Sequence, residues 1–479
     1  MNISIPPGVF DILPNAKEPW RNSSLWSYVE ATIRQIAKEY GYQEIRTPLF
    51  ERTELFKRGV GETSDIVSKE MYTFEDKGGR SMSLRPEGTA PVMRSFVENN
   101  LDQNPACHKM FYIAPMFRYE RSQAGRYRQH HQFGAEAIGN DSPEQDVELI
   151  DMIYALYQRL GMKNLTLFIN SIGNTECRIN YRKALQDYLK ESFSKLSKDS
   201  QARFENNPLR ILDSKEPEDI KLLENAPSIL EYLSEDDREH FNNVQNLLTQ
   251  LGIPFQVNSH LVRGLDYYNR TVFEIVAGEL GAQNSIAGGG RYDGLMKQLG
   301  GPDLPCIGFG AGIERIIQTL LKQEIPVPAA DSPTIFLIAL GDEAREACFK
   351  ILHDLRSQGI SAHMDFSNRK LGKVMQYADQ LKAKYVAVIG ENELKNQEVQ
   401  LKDMASGQSI KAPLFHLSRI LKVDQKWNDF LEIWEDMSQP FDDNSEAQFF
   451  ISKLSQSIQQ TKKLADELQT VAEKIKSIF

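Results

Sequence analysis

Apolar residues at Leu25, Tyr28, Ile33, Ile36 and Ala37 follow a helical periodicity, which predicts a helix over Trp20–Tyr40 with one buried face, stopped by Gly41. Short apolar runs follow, separated by Gly, Asp and Pro: Tyr42–Phe50, Met71–Phe74, Lys109–Phe117, Gln132–Ile138, Leu165–Ile169, Thr271–Val276 and Ser285–Ala287. Many short strands with few helices between them predict an antiparallel sheet in an α+β body spanning residues 1–325. Between about 175 and 251 the pattern turns to polar helices rich in Lys, Glu, Asp and Asn. This reads as a helical insertion that returns to the sheet at Phe255.

Residues 326–332 carry two prolines and two alanines and read as a linker. Beyond them a strand (Thr334–Leu340), a helix (Asp342–Gln358), a strand (Ala362–Asp365), a helix (Lys370–Leu381) and a strand (Tyr385–Ile389) predict a small α/β domain with parallel strands over 333–424. Residues 425–479 form a separate segment. Ile451, Leu454, Ile458, Thr461, Ala465, Leu468, Ala472, Ile475 and Phe479 make a heptad seam, predicting a helix that packs on its own protein or on another chain.

Composition bounds the function. With 41% hydrophobic and 25% charged residues among 479, the chain is an ordinary globular protein of two to four domains. No apolar run approaches a membrane span, and Met1–Phe10 lacks a secretory pattern, so the expected location is the cytoplasm. Four scattered cysteines (Cys107, Cys177, Cys306, Cys348) read as reduced thiols, with neither a disulfide framework nor a metal site of the chain's own. The net charge of −10 gives no general attraction to nucleic acid, so a polyanion must meet local basic patches.

Such a patch exists. Arg118–Gln132 holds four arginines and one acid, in a stretch whose flanks read as two strands around a loop with Gly125. Guanidinium forks suit phosphate oxygens because they donate in pairs and never lose their charge. On such a hairpin Arg118 and Glu120 share a face, as do Gln132, Gly134 and Glu136, which would suit the floor of a polar pocket. A solvated hairpin with surface ion pairs fits the same spacing. Three further segments carry candidate chemistry. In Leu84–Ala90, Pro86 and Gly88 break regular structure, and Glu87 could meet a cationic amine or simply cap the helix that Thr89 begins. Arg263–Tyr268 (RGLDYY) lies some twenty residues before Gly288–Tyr292 (GGGRY), whose glycines permit close approach of a ligand. Gly308–Ile316 leads alternating glycines into a helix bearing Arg315, with neither a Walker nor a dinucleotide spacing.

Taken together these segments resemble class II aminoacyl-tRNA synthetases, and among them the histidyl-tRNA synthetase family. Gly41–Glu51 is similar to the class's motif 1 at the dimer interface, Phe111–Glu136 to motif 2 and Gly308–Ile316 to motif 3. RGLDYY and GGGRY resemble the two signatures of the histidine enzymes, and Gly8–Pro14 also fits. The resemblance covers residues 1 to about 424. It implies ATP-dependent ligation of L-histidine to its tRNA through histidyl-adenylate, releasing AMP and pyrophosphate, with Mg2+ accompanying ATP. It implies that Arg118 grips the α-phosphate and the carboxylate, that Arg126 and Arg315 hold the β- and γ-phosphates, that Glu120 lies near the adenine and that Phe133 stacks on it. Arg263 would stabilise charge at the reacting phosphate. Glu87, Gly88 and Thr89 would receive the ammonium group, while Gln132, Glu136, Tyr267, Tyr268 and Tyr292 would surround the imidazole.

The resemblance further implies a homodimer joined through the catalytic domain and an anticodon-binding domain at 333–424. That domain has thirteen basic against eleven acidic residues, so tRNA contact would rest on local groups such as Arg369, Lys370 and Lys373. A non-catalytic relative, the regulatory subunit of ATP phosphoribosyltransferase, would be expected to have degenerate motifs and no second domain. A threonyl-type synthetase would need a zinc-ligand cluster, and a scaffold protein would not need so dense a set of site residues.

Overall fold

The structure is a computed structural model that describes residues 3–61, 64–105, 108–120, 126–278, 284–328, 332–367 and 369–423. The motif 2 loop around Gly125, part of the expected linker and the heptad segment lie outside the described residues. The chain divides into two compact units, Met1–Ala330 and Asp331–Phe479.

The first unit is built on an eight-stranded sheet. Its spatial order is Gln43–Glu44, Lys109–Phe117, Gln129–Ile138, Cys306–Gly312, Ser285–Arg291, Asn269–Ala277, Leu165–Ser171 and Phe255–Val257. Every interior pair is antiparallel, and only the two short edge strands run parallel to their neighbours. The expected antiparallel α+β body is therefore present. The predicted run Tyr42–Phe50 divides, because Pro48 has no N–H for a ladder. Gln43–Glu44 joins the large sheet, while Phe50–Arg52 pairs with Ser81–Leu84 in a separate three-stranded sheet.

Side chains of opposite parity leave the large sheet on opposite faces. One face is apolar. Phe111, Phe133, Ala135, Phe273, Ile275, Ile307 and Phe309 pack there against the helices Ser23–Glu39, Pro143–Arg159 and Ile313–Lys322. The first of these helices buries Leu25, Trp26, Val29, Ile33, Ile36 and Ala37, close to the stripe its periodicity predicts. The second was not among the expected elements, yet its Leu149, Ile150, Met152, Ile153 and Leu156 are wholly buried. It is tied to the sheet by an ion pair between Asp146 and Arg291 at 2.6 Å, both fully buried, and His240 Nε2 meets the other Asp146 oxygen at 2.8 Å. A buried pair of this kind costs several kcal/mol to break from one side. Arg291 of the GGGRY segment is thus a structural arginine facing away from the cleft described below.

Four α-helices lie between Thr175 and Gln250, where polar helices were expected: Thr175–Leu189, Lys198–Asn206, Pro217–Leu223 and Glu235–Gln250. Asn174, Ser197 and Ser234 cap three of them. Cys177, Cys306 and Cys348 are buried free thiols.

In the second unit five strands lie in the order Ala362–Met364, Ile335–Ala339, Tyr385–Ile389, Glu398–Asp403 and Ser409–Pro413. The first three are parallel, as the strand–helix–strand spacing predicts. The last two form a hairpin added antiparallel to the sheet, which the periodicity did not indicate. Helices Asp342–Ser357 and Leu371–Gln380 contribute to two separate apolar layers. Among the described residues no helix is long and apolar enough to cross a membrane.

Candidate active site

The polar face of the large sheet carries the cleft. A cross-strand row runs Glu274, Gly288, Gly310, Gly134, Tyr112, one residue from each of five adjacent strands. Three neighbouring glycines make a trough, and side chains lie flat in it. The Arg263 guanidinium occupies the space above Gly288, where a Cβ would come within 2.1 Å of Nη2, and the Gln132 amide does the same above Gly310 at 1.7 Å. Gly288, one of the glycines expected to permit close approach of a ligand, thus accommodates the protein's own Arg263.

Four guanidinium groups from separated stretches, Arg118, Arg126, Arg263 and Arg315, line this one cleft. Each is fixed from behind. Arg118 Nε donates to the Pro86 carbonyl at 2.9 Å, holding motif 2 to the Leu84–Ala90 turn. Arg126 Nε lies 3.2 Å from Glu120 Oε2. Arg263 Nη1 donates to Glu274 Oε1 at 3.2 Å. Burial works against the Arg263 charge, but the Tyr268 hydroxyl and the Glu274 carboxylate outweigh it and keep its pKa above the ordinary value. Arg315, in the helix Ile313–Lys322, donates to the Ser285 carbonyl. Burial lowers its pKa, and the neighbouring Arg126 charge lowers it further, with Glu120 acting in the opposite direction.

Glu87 serves both readings of its turn. Its oxygens accept from the backbone N–H groups of Thr89 (2.7 Å) and Ala90 (2.9 Å), capping the helix Thr89–Glu98, and the residue also lines the cleft. Burial raises its pKa against those two hydrogen bonds. Thr89 Oγ1 donates to Glu136 Oε1 at 2.8 Å, and the Tyr292 hydroxyl donates to Glu136 Oε2. Glu136 is fully buried, and desolvation pushes its pKa up to about 8. Gln132, Tyr267 and Tyr268 line the cleft directly.

Four of the expected site residues are placed differently. Phe133 is wholly buried on the opposite face, edge-on to Phe309 with centroids 5.1 Å apart, so it cannot stack on a ligand in the cleft. Two positions per repeat put His130, with Gln132, Gly134 and Glu136, on the cleft face instead. His130 does line the cleft, and burial together with the Arg118 charge holds its imidazole well below its usual pKa, hence neutral. The same alternation was legible in the sequence and marks His130 as the aromatic group sequence reading missed. Glu136 and Tyr292 stand behind the wall rather than on it. Gly88 does not line the cleft; a Cβ there would come within 2.3 Å of the Tyr112 ring, so its small size serves packing. Glu314 is a further residue that sequence reading passed over. It lines the cleft and accepts from His131 N at 2.8 Å, binding motif 3 to motif 2.

With this geometry in place, relatives decide the family. A family model for histidyl-tRNA synthetase matches residues 8–316, and one for an anticodon binding domain matches 334–423. The chain belongs to the histidyl-tRNA synthetase family. It is 67% identical over 423 residues to the histidine–tRNA ligase of Protochlamydia amoebophila, covering 88% of this chain and all of that one. It is 49% identical to that of a Geobacillus species, over 88% of this chain and 99% of the relative. The apo histidyl-tRNA synthetase of S. aureus superposes with a TM-score of 0.74 at 38% identity, over 88% of this chain and all of that one. Membership accounts for the intact arginines and the second domain together, which a non-catalytic or scaffold reading does not.

Proposed function

We propose that the cleft binds MgATP and L-histidine side by side, joins them as histidyl-adenylate, and passes the histidyl group to tRNA. Histidine–tRNA ligation is the activity named for the relatives above, and the convergence of four fixed guanidinium groups on one glycine trough is the observation that carries it to this chain. In the first step a histidine carboxylate oxygen attacks the α-phosphorus, a P–O bond forms, and the bond to pyrophosphate breaks with its electron pair leaving on that group. Negative charge grows on the α-phosphate oxygens and on the leaving group. Arg118 and Arg263 are placed for the former, Arg126 and Arg315 for the latter, and their fixed partners mean that little reorganisation is needed at the transition state. His130, neutral and planar on the cleft face, takes the stacking role against the base, with Glu120 beside it. In the second step the terminal ribose hydroxyl attacks the carboxyl carbon. The ester C–O bond forms, the bond to phosphate breaks, AMP leaves with the electron pair, and the hydroxyl proton is taken up by a phosphate oxygen.

Glu87 is positioned for the histidine ammonium, and Gln132 with Tyr268 for the imidazole, while Glu136 behind them orients Thr89. A site built to satisfy both ring nitrogens rejects side chains that leave those groups unpaired. Magnesium arrives with the triphosphate as part of the substrate.

Dimerisation through the motif 1 region is part of the same reading. Phe50 and Phe74, on the small sheet, are 50% and 44% exposed there with their ring centroids 6.2 Å apart, and Leu49 just before the strand is 47% exposed. The 333–424 domain would read the anticodon with Arg369, Lys370 and Lys373, and the cytoplasm is the compartment these substrates share. Arg263→Gln tests the assignment. Its histidine-dependent exchange of pyrophosphate into ATP should fall about 10²–10³-fold, the usual cost of removing one preorganised donor, at near-normal thermal stability. A near-normal rate with collapsed stability would make Arg263 a structural residue.

A further inference from the structure

The RGLDYY segment has a side that faces away from the cleft. Residues 258–268, between the strands Phe255–Val257 and Asn269–Ala277, form no helix or strand, so no regular ladder holds the backbone that carries Arg263, Tyr267 and Tyr268. Its polar groups must find partners elsewhere. Three of them meet side chains from the helical stretch 175–250. Arg210 Nη1 donates to the Gly264 carbonyl, Asn207 Nδ2 to Asp266 Oδ1 and Arg178 Nη1 to the Tyr268 carbonyl, each at 2.8 Å. The contacts fall at 264, 266 and 268, while Arg263, Leu265, Tyr267 and Tyr268 line the cleft. Arg210 is held in turn by Asp65, whose Oδ2 lies 3.7 Å from it and 3.0 Å from Arg203.

Asp266 is gripped from a second direction. Its N–H donates to the Val60 carbonyl at 3.4 Å, at the end of the helix Thr53–Val60. Its carboxyl packs on Gly61, where a Cβ would come within 2.5 Å of Oδ2. Gly61 has φ of 97°, so backbone and space both demand glycine under that carboxyl. One carboxylate thus joins two separate parts of the unit, three residues from Arg263, without lining the cleft itself. We propose that Asp266 is a positioning residue for adenylate formation: clamped between Asn207 and Gly61, it sets where its loop presents Arg263 to the α-phosphate and Tyr267 and Tyr268 to the amino acid. The contact from Asn207 then acts on the first chemical step, before any tRNA is bound. A misplacement of about 1 Å at such a group costs about 10²-fold in rate. This deepens the synthetase reading and rests on it.

The test uses the full chain and histidine-dependent pyrophosphate exchange without tRNA, titrated in each substrate, with thermal unfolding alongside. Asp266→Ala and Asn207→Ala each remove the bond between these two side chains, and Asp266→Asn keeps an oxygen that can accept it. Both Ala variants should lose about tenfold or more in kcat and raise KM for histidine several-fold. KM for ATP should stay within about twofold, because Arg126 and Arg315 lie outside the displaced loop. Asp266→Asn should recover most of the loss. The double Ala variant should be no worse than Asp266→Ala, since both changes break one bond. In an Arg263→Gln background, Asp266→Ala should lower kcat little further, because its effect on rate runs through that guanidinium. Wild-type kinetics in Asp266→Ala would overturn the proposal, as would equal rises in both KM values or full additivity with Arg263→Gln. A fall in thermal midpoint with both KM values unchanged would make Asp266 merely structural and overturn it too. Absence of exchange in the wild-type chain would instead remove the synthetase reading.

Discussion

Gly308→Ala tests the geometry of the histidine side of the cleft. In most antiparallel strands this substitution is mildly favourable, because glycine loses more conformational freedom on folding than alanine, by about 0.5–1 kcal/mol. Here the new Cβ would sit 1.7 Å from Glu136 Oε2. Ordinary contact needs about 3.5 Å, so the carboxyl must retreat by about 1.8 Å. It has nowhere to go without losing partners, since Glu136 is wholly buried and held by Thr89 and Tyr292. Leaving one buried hydrogen-bond partner unsatisfied costs about 1–3 kcal/mol. These bonds are internal to the chain, so losing one at about 2 kcal/mol lowers folding stability by that amount and losing both by about 4 kcal/mol, while the displaced Glu136 and Thr89 disturb the histidine side of the cleft and lower kcat/KM for histidine. The loss should appear in KM for histidine, with KM for ATP within a few-fold of wild type. The assay is histidine-dependent pyrophosphate exchange, titrated in each substrate, with thermal unfolding as the check on folding. A folded Gly308→Ala protein with wild-type KM for histidine would refute the claim that Glu136 organises that side of the cleft.

The remaining expectations concern titration and the base. Glu136 has a pKa of about 8 in the folded chain, against about 4.3 when unfolded. The folded state therefore binds the extra proton, and the stability this group contributes is complete below the unfolded value and is lost as pH rises to the folded one. Between pH 6 and 9 the wild-type thermal midpoint should fall relative to Glu136→Gln; parallel curves would contradict the shift. Phe133→Ala should destabilise the fold by about 3–5 kcal/mol, as for buried aromatics generally, and Phe133→Leu should leave KM for ATP unchanged. His130→Ala should raise KM for ATP at an unaltered thermal midpoint, and the reverse pattern would return the stacking role to Phe133.

Much of this site could be read from residue spacing, and what could not has physical reasons. Alternation along Gln129–Ile138 assigns Gln132, Gly134 and Glu136 to one face, and the structure keeps them there. The same alternation puts Phe133 on the opposite, apolar face, against the role that the motif resemblance implies for it. Three facts depend on strands far apart in sequence and have no local signature. These are the glycine trough formed by positions 134, 288 and 310, the withdrawal of Tyr292 behind Glu136, and the burial of Arg291 on Asp146. The division at Pro48 was visible in the residue itself. The Glu398–Pro413 hairpin escaped because short amphipathic strands at a sheet edge carry few apolar residues; of Ser409–Pro413 only Ala412 is buried.

The most direct measurement is a panel of pyrophosphate exchange into ATP, run with each amino acid in turn and without tRNA. Four arginines around one trough beside a buried, hydrogen-bonded carboxyl should give exchange with histidine alone. Exchange with a different amino acid, or none from folded protein with histidine present, would contradict the account.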